Sequence, residues 1–167
     1  MSEYKIGHGW DLHRLEPLPP HGEGKRLLLG GIHVETEKYG PVGHSDADAL
    51  IHAIIDALCG AMGGLDIGDR FPPEDPMWMD ANSLDLLKKI KKELDFKKLI
   101  ILNLDSTIIL EKPKLNKYKH LIKTNISRQL SLPINSIGIK AKTRENMENE
   151  NCKAIEAHCV VLLKEKE

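Results

Sequence analysis

Residues 45–62 read SDADALIHAIIDALCGAM, and this stretch decides the fold. Apolar side chains recur at Leu50, Ile54, Ile55 and Leu58, the three- and four-residue spacing of a helix. Ser45 with Asp48 makes a capping-box-like start, and Gly63 with Gly64 ends the periodic run. Upstream, KIGHGW (5–10) and RLLLGGIHV (26–34) read as short strands. Between them EPLPPHGEG (16–24) breaks both helix and strand, and TEKYGPVG (36–43) reads as a second loop. Downstream, LDIGDRFPPEDPMWMDA (65–81) is irregular, with prolines at Pro72, Pro73 and Pro76. NSLDLLKKIKKELDF (82–96) is an amphipathic helix capped by Asn82 or Ser83. LIILNLDSTIIL (99–110) is a strand rich in β-branched residues, and KPKLNKYKHLIKTNISRQL (112–130) holds a third helix starting after Pro113. SIGIKAKT (136–143) and IEAHCVVLL (155–163) are the last strands. Interleaved strands and helices predict one α/β (α+β) domain over residues 1–167, with a small mixed sheet covered on one face by helices.

Composition narrows the function classes. Apolar residues make up 41% and charged residues 29%, and the formal net charge is -1. That balance argues against a broad electrostatic footprint for nucleic acid or an anionic membrane, so a charged ligand must be met locally. No apolar run approaches the roughly 20 residues of a membrane span, and MSEYKIGHGW lacks the pattern of a signal peptide. A soluble, intracellular protein is expected, cytoplasmic if bacterial and in the plastid stroma if processed after import. Cys59, Cys152 and Cys159 have no paired spacing, so reduced thiols are expected. The lysine-rich stretch 88–98 reads as a solvated helix face, because Glu93 and Asp95 interrupt it and no aromatics interleave.

The chemistry concentrates in GHGWDLHRL (7–15). On an extended segment Asp11 and His13 project to the same side and reach one point in space, which suits a metal ion. The plain alternative is a surface aspartate beside a satisfied histidine. His52, inside the helix, is a third donor, and Asp48 and Asp56 stand four residues to either side of it, where one could hold its free ring nitrogen. Asp11, His13 and His52 would make a three-ligand set with an open position, as in catalytic zinc sites; a core histidine capped by a neighbouring acid is the alternative. His44 and Ser45 sit at a helix start, where free N–H groups attract phosphate, or form an ordinary cap. From these residues alone the reading is metal-assisted phosphoryl transfer.

Four blocks then carry a resemblance: GHGWDLHRL, GHSDADALIHAIIDALCGAMGGLDIGDRFPPEDP (43–76), TIILEKPKL (107–115) and IKAKTRE (139–145). In this order and spacing they resemble the 2-C-methyl-D-erythritol 2,4-cyclodiphosphate synthase family of the non-mevalonate isoprenoid pathway, over nearly the whole chain. The resemblance implies a homotrimer with active sites between neighbouring subunits. It implies zinc on Asp11, His13 and His52, and phosphate contacts from His44 and Ser45, with His44 stabilising the transition state. Asp66, Ile67 and Gly68 would cradle the methylerythritol part, with Phe71 and Asp75 alongside. LEKPKLN (110–116) would grip cytosine, through Leu110, Pro113, Lys114, Leu115 and Asn116. Ala141 and Lys142 would line the diphosphate, Thr143 would touch it, and Glu145 would carry a second divalent ion, Mg2+ or Mn2+.

The implied reaction is closure of 4-diphosphocytidyl-2-C-methyl-D-erythritol 2-phosphate onto its own diphosphate with release of CMP. The attacking group lies within the substrate, so the protein needs only to fold a polyanion and neutralise it. Two departures stand out. Pro73 replaces a common aspartate, removing one contact near the substrate. NMENENCKA (146–154) replaces a glycine- and arginine-containing stretch that lines an isoprenoid diphosphate cavity on the trimer axis. With Glu148, Asn149, Glu150 and Asn151 there, such a ligand is not expected to bind in the same way unless Lys153 serves for the arginine. Two other readings are a zinc phosphohydrolase and a non-catalytic nucleotide-binding trimer. The latter predicts damage to at least one of Asp11, His13, His44, His52, Thr143 or Glu145, and none is damaged.

Overall fold

The computed structural model describes residues 3–147 and 153–166. Strand β1 (Tyr4–Pro17) is followed by the two-residue strands β2 (Leu28–Leu29) and β3 (Ile32–His33), then β4 (Tyr39–Pro41) and helix α1 (Ala49–Ala61). A four-residue helix α2 (Ile67–Arg70) and a 3-10 turn (Pro76–Trp78) lead to α3 (Ser83–Phe96). Then come β5 (Leu99–Ile109), α4 (Lys119–Leu130), a 3-10 turn (Ile134–Ser136), β6 (Ile137–Lys142) and β7 (Ala154–Glu165). The main sheet has the order β4-β1-β7-β5-β6. Only β5 and β6 run parallel; the other pairs are antiparallel, so the sheet is mixed as expected.

Helix α1 is the centre of the core. Leu50, Ile51, Ile54, Ile55 and Leu58 are fully buried against β1, β7 and α3. Each such side chain contributes roughly 1.5–3 kcal/mol by leaving water. The helix can lie this close to β1 because two glycines face it. A Cβ on Gly7 would fall 1.8 Å from the Ala57 carbonyl oxygen, and one on Gly9 2.0 Å from that of Ala53. Backbone therefore packs on backbone at the GHG of GHGWD. Alternation along β1 then turns Asp11 and His13 toward the helix layer, and His8, Trp10 and Leu12 to the opposite face.

Several boundaries differ from the sequence reading. α1 begins one turn later than Ser45: Asp48 is its cap, accepting from the Ile51 N–H, because the Ser45 hydroxyl is used elsewhere. RLLLGGIHV is not one strand but a hairpin, reversed at Gly30 and Gly31, whose φ values of 60° and 73° suit glycine. β1 runs on to Pro17, and β4 forms inside the expected loop 36–43 by pairing with its end. Of the two candidates for the α3 cap, Asn82 fills the role. Cys59 and Cys159 are buried free thiols, pushed up by burial to about 11 and about 12. Cys152 and the Glu148–Asn151 replacement lie outside the described residues.

Candidate active site

Three donor atoms from two elements meet where β1 passes the start of α1. Asp11 Oδ2 lies 2.9 Å from His13 Nε2 and 2.9 Å from His52 Nδ1, and those nitrogens are 3.2 Å apart. This is the one cluster of three or more such donors among the described residues. Three donors each about 2.0–2.1 Å from a shared zinc ion make a triangle of about this size. The outer nitrogens are also arranged for it. His13 Nδ1–H donates to the Val42 carbonyl at 3.1 Å, leaving Nε2 bare. His52 Nε2–H points at Ser83 Oγ, 2.9 Å away, and at Ser45 Oγ, 3.1 Å away, leaving Nδ1 bare. The Ser83 hydroxyl in turn donates to the Asp46 carboxylate, which also accepts the Ser83 N–H at 2.9 Å. Residues present thus fit a divalent ion, with the far side of each ring held.

The expected support from Asp48 or Asp56 is corrected. Asp48 is fully buried and accepts from the N–H groups of Gly30 at 3.0 Å, Gly31 at 2.6 Å and Ile51 at 3.1 Å. It ties the β2–β3 hairpin to α1 instead of touching His52. Asp56 accepts the Ile67 N–H at 2.8 Å and so fixes α2 beside α1. Burial disfavours the charged form and raises the pKa of both carboxyls above the usual range. Asp11 goes the other way: burial raises it, but in the metal-free site, with a proton on each inner ring nitrogen in place of the ion, the hydrogen bonds and charges of His13 and His52 outweigh that and hold it well below the usual range. His52 is raised, because the bond and charge of Asp11 overcome the opposing effect of burial.

The triad opens into a cavity of about 190 Å³. His44 and Ser45 line it from the loop before α1, and Ile67, Gly68 and Phe71 from α2 and its end. Pro73, Trp78 and Leu86 complete it. Lys25 Nζ donates to the Ser45 carbonyl at 2.6 Å and to Asp80 at 3.0 Å, pinning that loop. Asp66 and Asp75 do not line the cavity: Asp66 caps α2 through the Asp69 N–H at 2.9 Å, and Asp75 accepts from the Met77 N–H at 2.9 Å. Trp78 and Leu86 were not anticipated. The Phe71–Trp78 edge contact, centroids 5.0 Å apart, is the feature that an aromatic in an irregular stretch could have suggested.

The remaining expected residues gather at the end of β5 and β6. The Leu110 N–H donates to the Lys142 carbonyl at 3.0 Å, and Glu111 accepts the Arg144 N–H at 3.0 Å, so the loop carrying Pro113, Lys114, Leu115 and Asn116 is joined to the turn after Ala141 and Lys142. Leu110 and Leu115 are buried and act in the core. Thr143 Oγ1 donates to Glu145 Oε1 at 2.9 Å. In register, Asp11 stands beside Ala157, Ala157 beside Ile108, and Ile108 beside Ala141. Three strand spacings of about 4.8 Å, or about 14 Å, separate the two groups within one chain.

The sequence profile of the YgbB family matches residues 4–164. This chain belongs to the YgbB family. The 2-C-methyl-D-erythritol 2,4-cyclodiphosphate synthase of Caldicellulosiruptor bescii is 43% identical over 161 residues, 96% of this chain and 98% of that one. The chloroplastic synthase of Arabidopsis thaliana is 41% identical over 165 residues, 98% of this chain and 68% of that one. Among solved structures, a 2C-methyl-D-erythritol-2,4-cyclodiphosphate synthase in a CDP-bound form superposes with a TM-score of 0.84 at 34% identity, over 95% of this chain and 99% of the other. The family expected from the four sequence blocks is therefore borne out, and so is the mixed sheet packed with helices. Among the described residues no helix is long and apolar enough to cross a membrane.

Proposed function

We propose that this chain is a lyase that converts 4-diphosphocytidyl-2-C-methyl-D-erythritol 2-phosphate into 2-C-methyl-D-erythritol 2,4-cyclodiphosphate and CMP, in non-mevalonate isoprenoid synthesis. The observation that carries this reading is the Asp11–His13–His52 triad facing a phosphate-sized cavity beside His44 and Ser45. An oxygen of the substrate's 2-phosphate forms a bond to the β-phosphorus. The bond from that phosphorus to the oxygen bridging it to the α-phosphorus breaks, and the electron pair leaves with CMP. A divalent ion on the triad, zinc by its donor chemistry, and a second, magnesium or manganese, on Glu145 would supply Lewis acidity and neutralise phosphate charge when bound. His44, exposed at the cavity, meets phosphate oxygens, and Ser45 stands beside it on the pinned loop. Ile67, Gly68 and Phe71 give the carbon skeleton an apolar wall that excludes water from the β-phosphorus. Thr143 binds the diphosphate, and Lys114 and Asn116 lie on the loop that receives cytosine.

The about 14 Å between Asp11 and Ala141, at the strand end that would line the diphosphate, in one chain supports a site completed by a neighbouring subunit. So does the uncovered sheet face: Tyr4, Ile6, Trp10, Leu12, Ile100 and Val160 are apolar and between 40% and 73% exposed there. A homotrimer with inter-subunit sites accounts for both. Incubating the protein with this substrate, zinc and magnesium, and following phosphorus NMR, tests the function. A cyclic diphosphate appearing with CMP supports it; CMP with an open-chain product assigns a hydrolase instead.

A further inference from the structure

The charges of this chain are sorted along its sequence. Residues 112–144 hold nine of the 24 lysines and arginines and none of the 25 aspartates and glutamates, so this segment carries +9 and the remainder -10. The formal net charge of -1 hides that division. The fold then gathers the segment at one edge. β5 and β6 run parallel with α4 as the connection between them, so α4 runs back along β5 and its first turn lies with the carboxyl ends of both strands. Those ends carry the 110–116 loop and Thr143, joined by the Leu110 N–H to Lys142 carbonyl bond. α4 packs on β6, β3 and α3, within the helix layer and away from the uncovered sheet face.

Three of the nine cations are neutralised: Lys117 by Glu35 at 3.3 Å, Lys140 by Asp105 and Arg144 by Glu156. Arg128, in the last turn of α4, donates to the Asn125 side-chain oxygen at 2.6 Å. Lys112, Lys114, Lys119, Lys123 and Lys142 form no ion pair among the described residues. Lys119 also stands in the first turn of α4, where no acid is present and Tyr118 supplies no side-chain cap. The positive end of a helix dipole disfavours an ammonium there, so helix and lysines add to one positive field. Lys123 lies one turn further on, about 6 Å along the axis. On α3, by contrast, acids interrupt the lysines: Lys88 pairs with Asp85 and Lys91 with Asp95.

We propose that Lys119 and Lys123, outside the loop that would touch the nucleotide, extend a positive surface that draws the diphosphate of a nucleotide polyanion to that loop. This role rests on the cyclase reading for its substrate. Calorimetric binding of CDP to the full chain at low and high salt tests it. Lys119→Glu/Lys123→Glu should weaken CDP about 10-fold at about 20 mM salt, and less than about 2-fold at about 0.5 M, where screening shortens to about 4 Å. Lys119→Gln/Lys123→Gln should fall between the two, and Lys119→Arg/Lys123→Arg should match the native chain. Lys92→Glu/Lys97→Glu makes the same change in net charge beside the start of β5, about 33 Å from the strand end that carries the loop, and should leave CDP affinity native. CDP affinity that is absent or independent of salt in the native chain, or equal losses in the α3 and α4 variants, overturns the proposal. A native chain that shows the expected CDP pattern yet closes no cyclic diphosphate overturns the cyclase reading and leaves this surface standing.

Discussion

Ser83→Ala isolates the part of the site that holds a ligand without touching the metal. Ser83 is fully buried, its hydroxyl donates to Asp46, and its oxygen therefore meets His52 Nε2 only as an acceptor, at 2.9 Å. That fixes His52 with Nε2 protonated and Nδ1 bare toward Asp11. Removing such an outer partner costs about 10- to 100-fold in metal affinity. Ser45 Oγ remains 3.1 Å from the same nitrogen, but it also accepts the Ala47 N–H at 3.2 Å and replaces Ser83 only in part. The single variant should therefore lose about 10-fold in zinc affinity, or about 1.4 kcal/mol, and the Ser45→Ala/Ser83→Ala double variant about 100-fold. The assay is competition for zinc with a chelator of known affinity. Because the Ser83 N–H still donates to Asp46 at 2.9 Å, the metal-free protein should lose only about 1 kcal/mol in urea unfolding. Native zinc affinity in Ser83→Ala, or a double variant no weaker than the single, would refute the tautomer-holding role.

Glu145→Gln should raise the magnesium concentration needed for turnover while leaving zinc content unchanged; an unaltered magnesium titration removes Glu145 from the site. Gly9→Ala places a Cβ 2.0 Å from the Ala53 carbonyl oxygen, so α1 must shift and stability should fall by about 3 kcal/mol or more. A urea midpoint equal to the native one contradicts the packing of α1 on β1. In the metal-free protein, burial opposes the charge on His52 but the hydrogen bond and charge of Asp11 raise it above the ordinary imidazole value, and a histidine so raised contributes stability that is complete below its unfolded value and lost as pH rises through the folded one. Relative to His52→Ala, the metal-free unfolding midpoint should therefore fall with rising pH in that window, whereas zinc binding, which replaces the proton, should tighten. Parallel pH profiles of the two proteins would contradict the coupling of His52 to Asp11.

The parts of the site written into local periodicity were legible. Alternation along GHGWDLH puts Asp11 and His13 on one face whatever the strand later packs against, and the helical repeat places His52 on the side of α1 that carries its apolar residues. The residues that hold His52 were not legible by the same rule. Asp48 and Asp56 satisfy the four-residue spacing, yet their oxygens go to the Gly30, Gly31 and Ile67 N–H groups, donors that a helical wheel does not contain. Ser83 reaches His52 across 31 residues of chain, and only the packing of α3 on α1 brings it there. The shortest edge strand of the main sheet fails for a related reason. Three residues at Tyr39–Pro41 carry no periodicity of their own and become β4 because the end of β1 offers unpaired backbone groups.

The two faces of β1 show why the chain needs both kinds of information. Gly7 and Gly9 have no side chain on the helix side, which lets α1 approach close enough for His52 to reach Asp11. Any larger residue there would lift the helix and open the triad, so those glycines set a ligand distance through packing alone. The residues that alternate with them, His8 and Trp10, are free of that constraint and face the other side of the sheet, where His158 and Glu156 meet them. One strand thus positions the Asp11–His13–His52 triad by what its small residues omit on one side, and the Trp10–Glu156–His158 cluster by what its large residues add on the other.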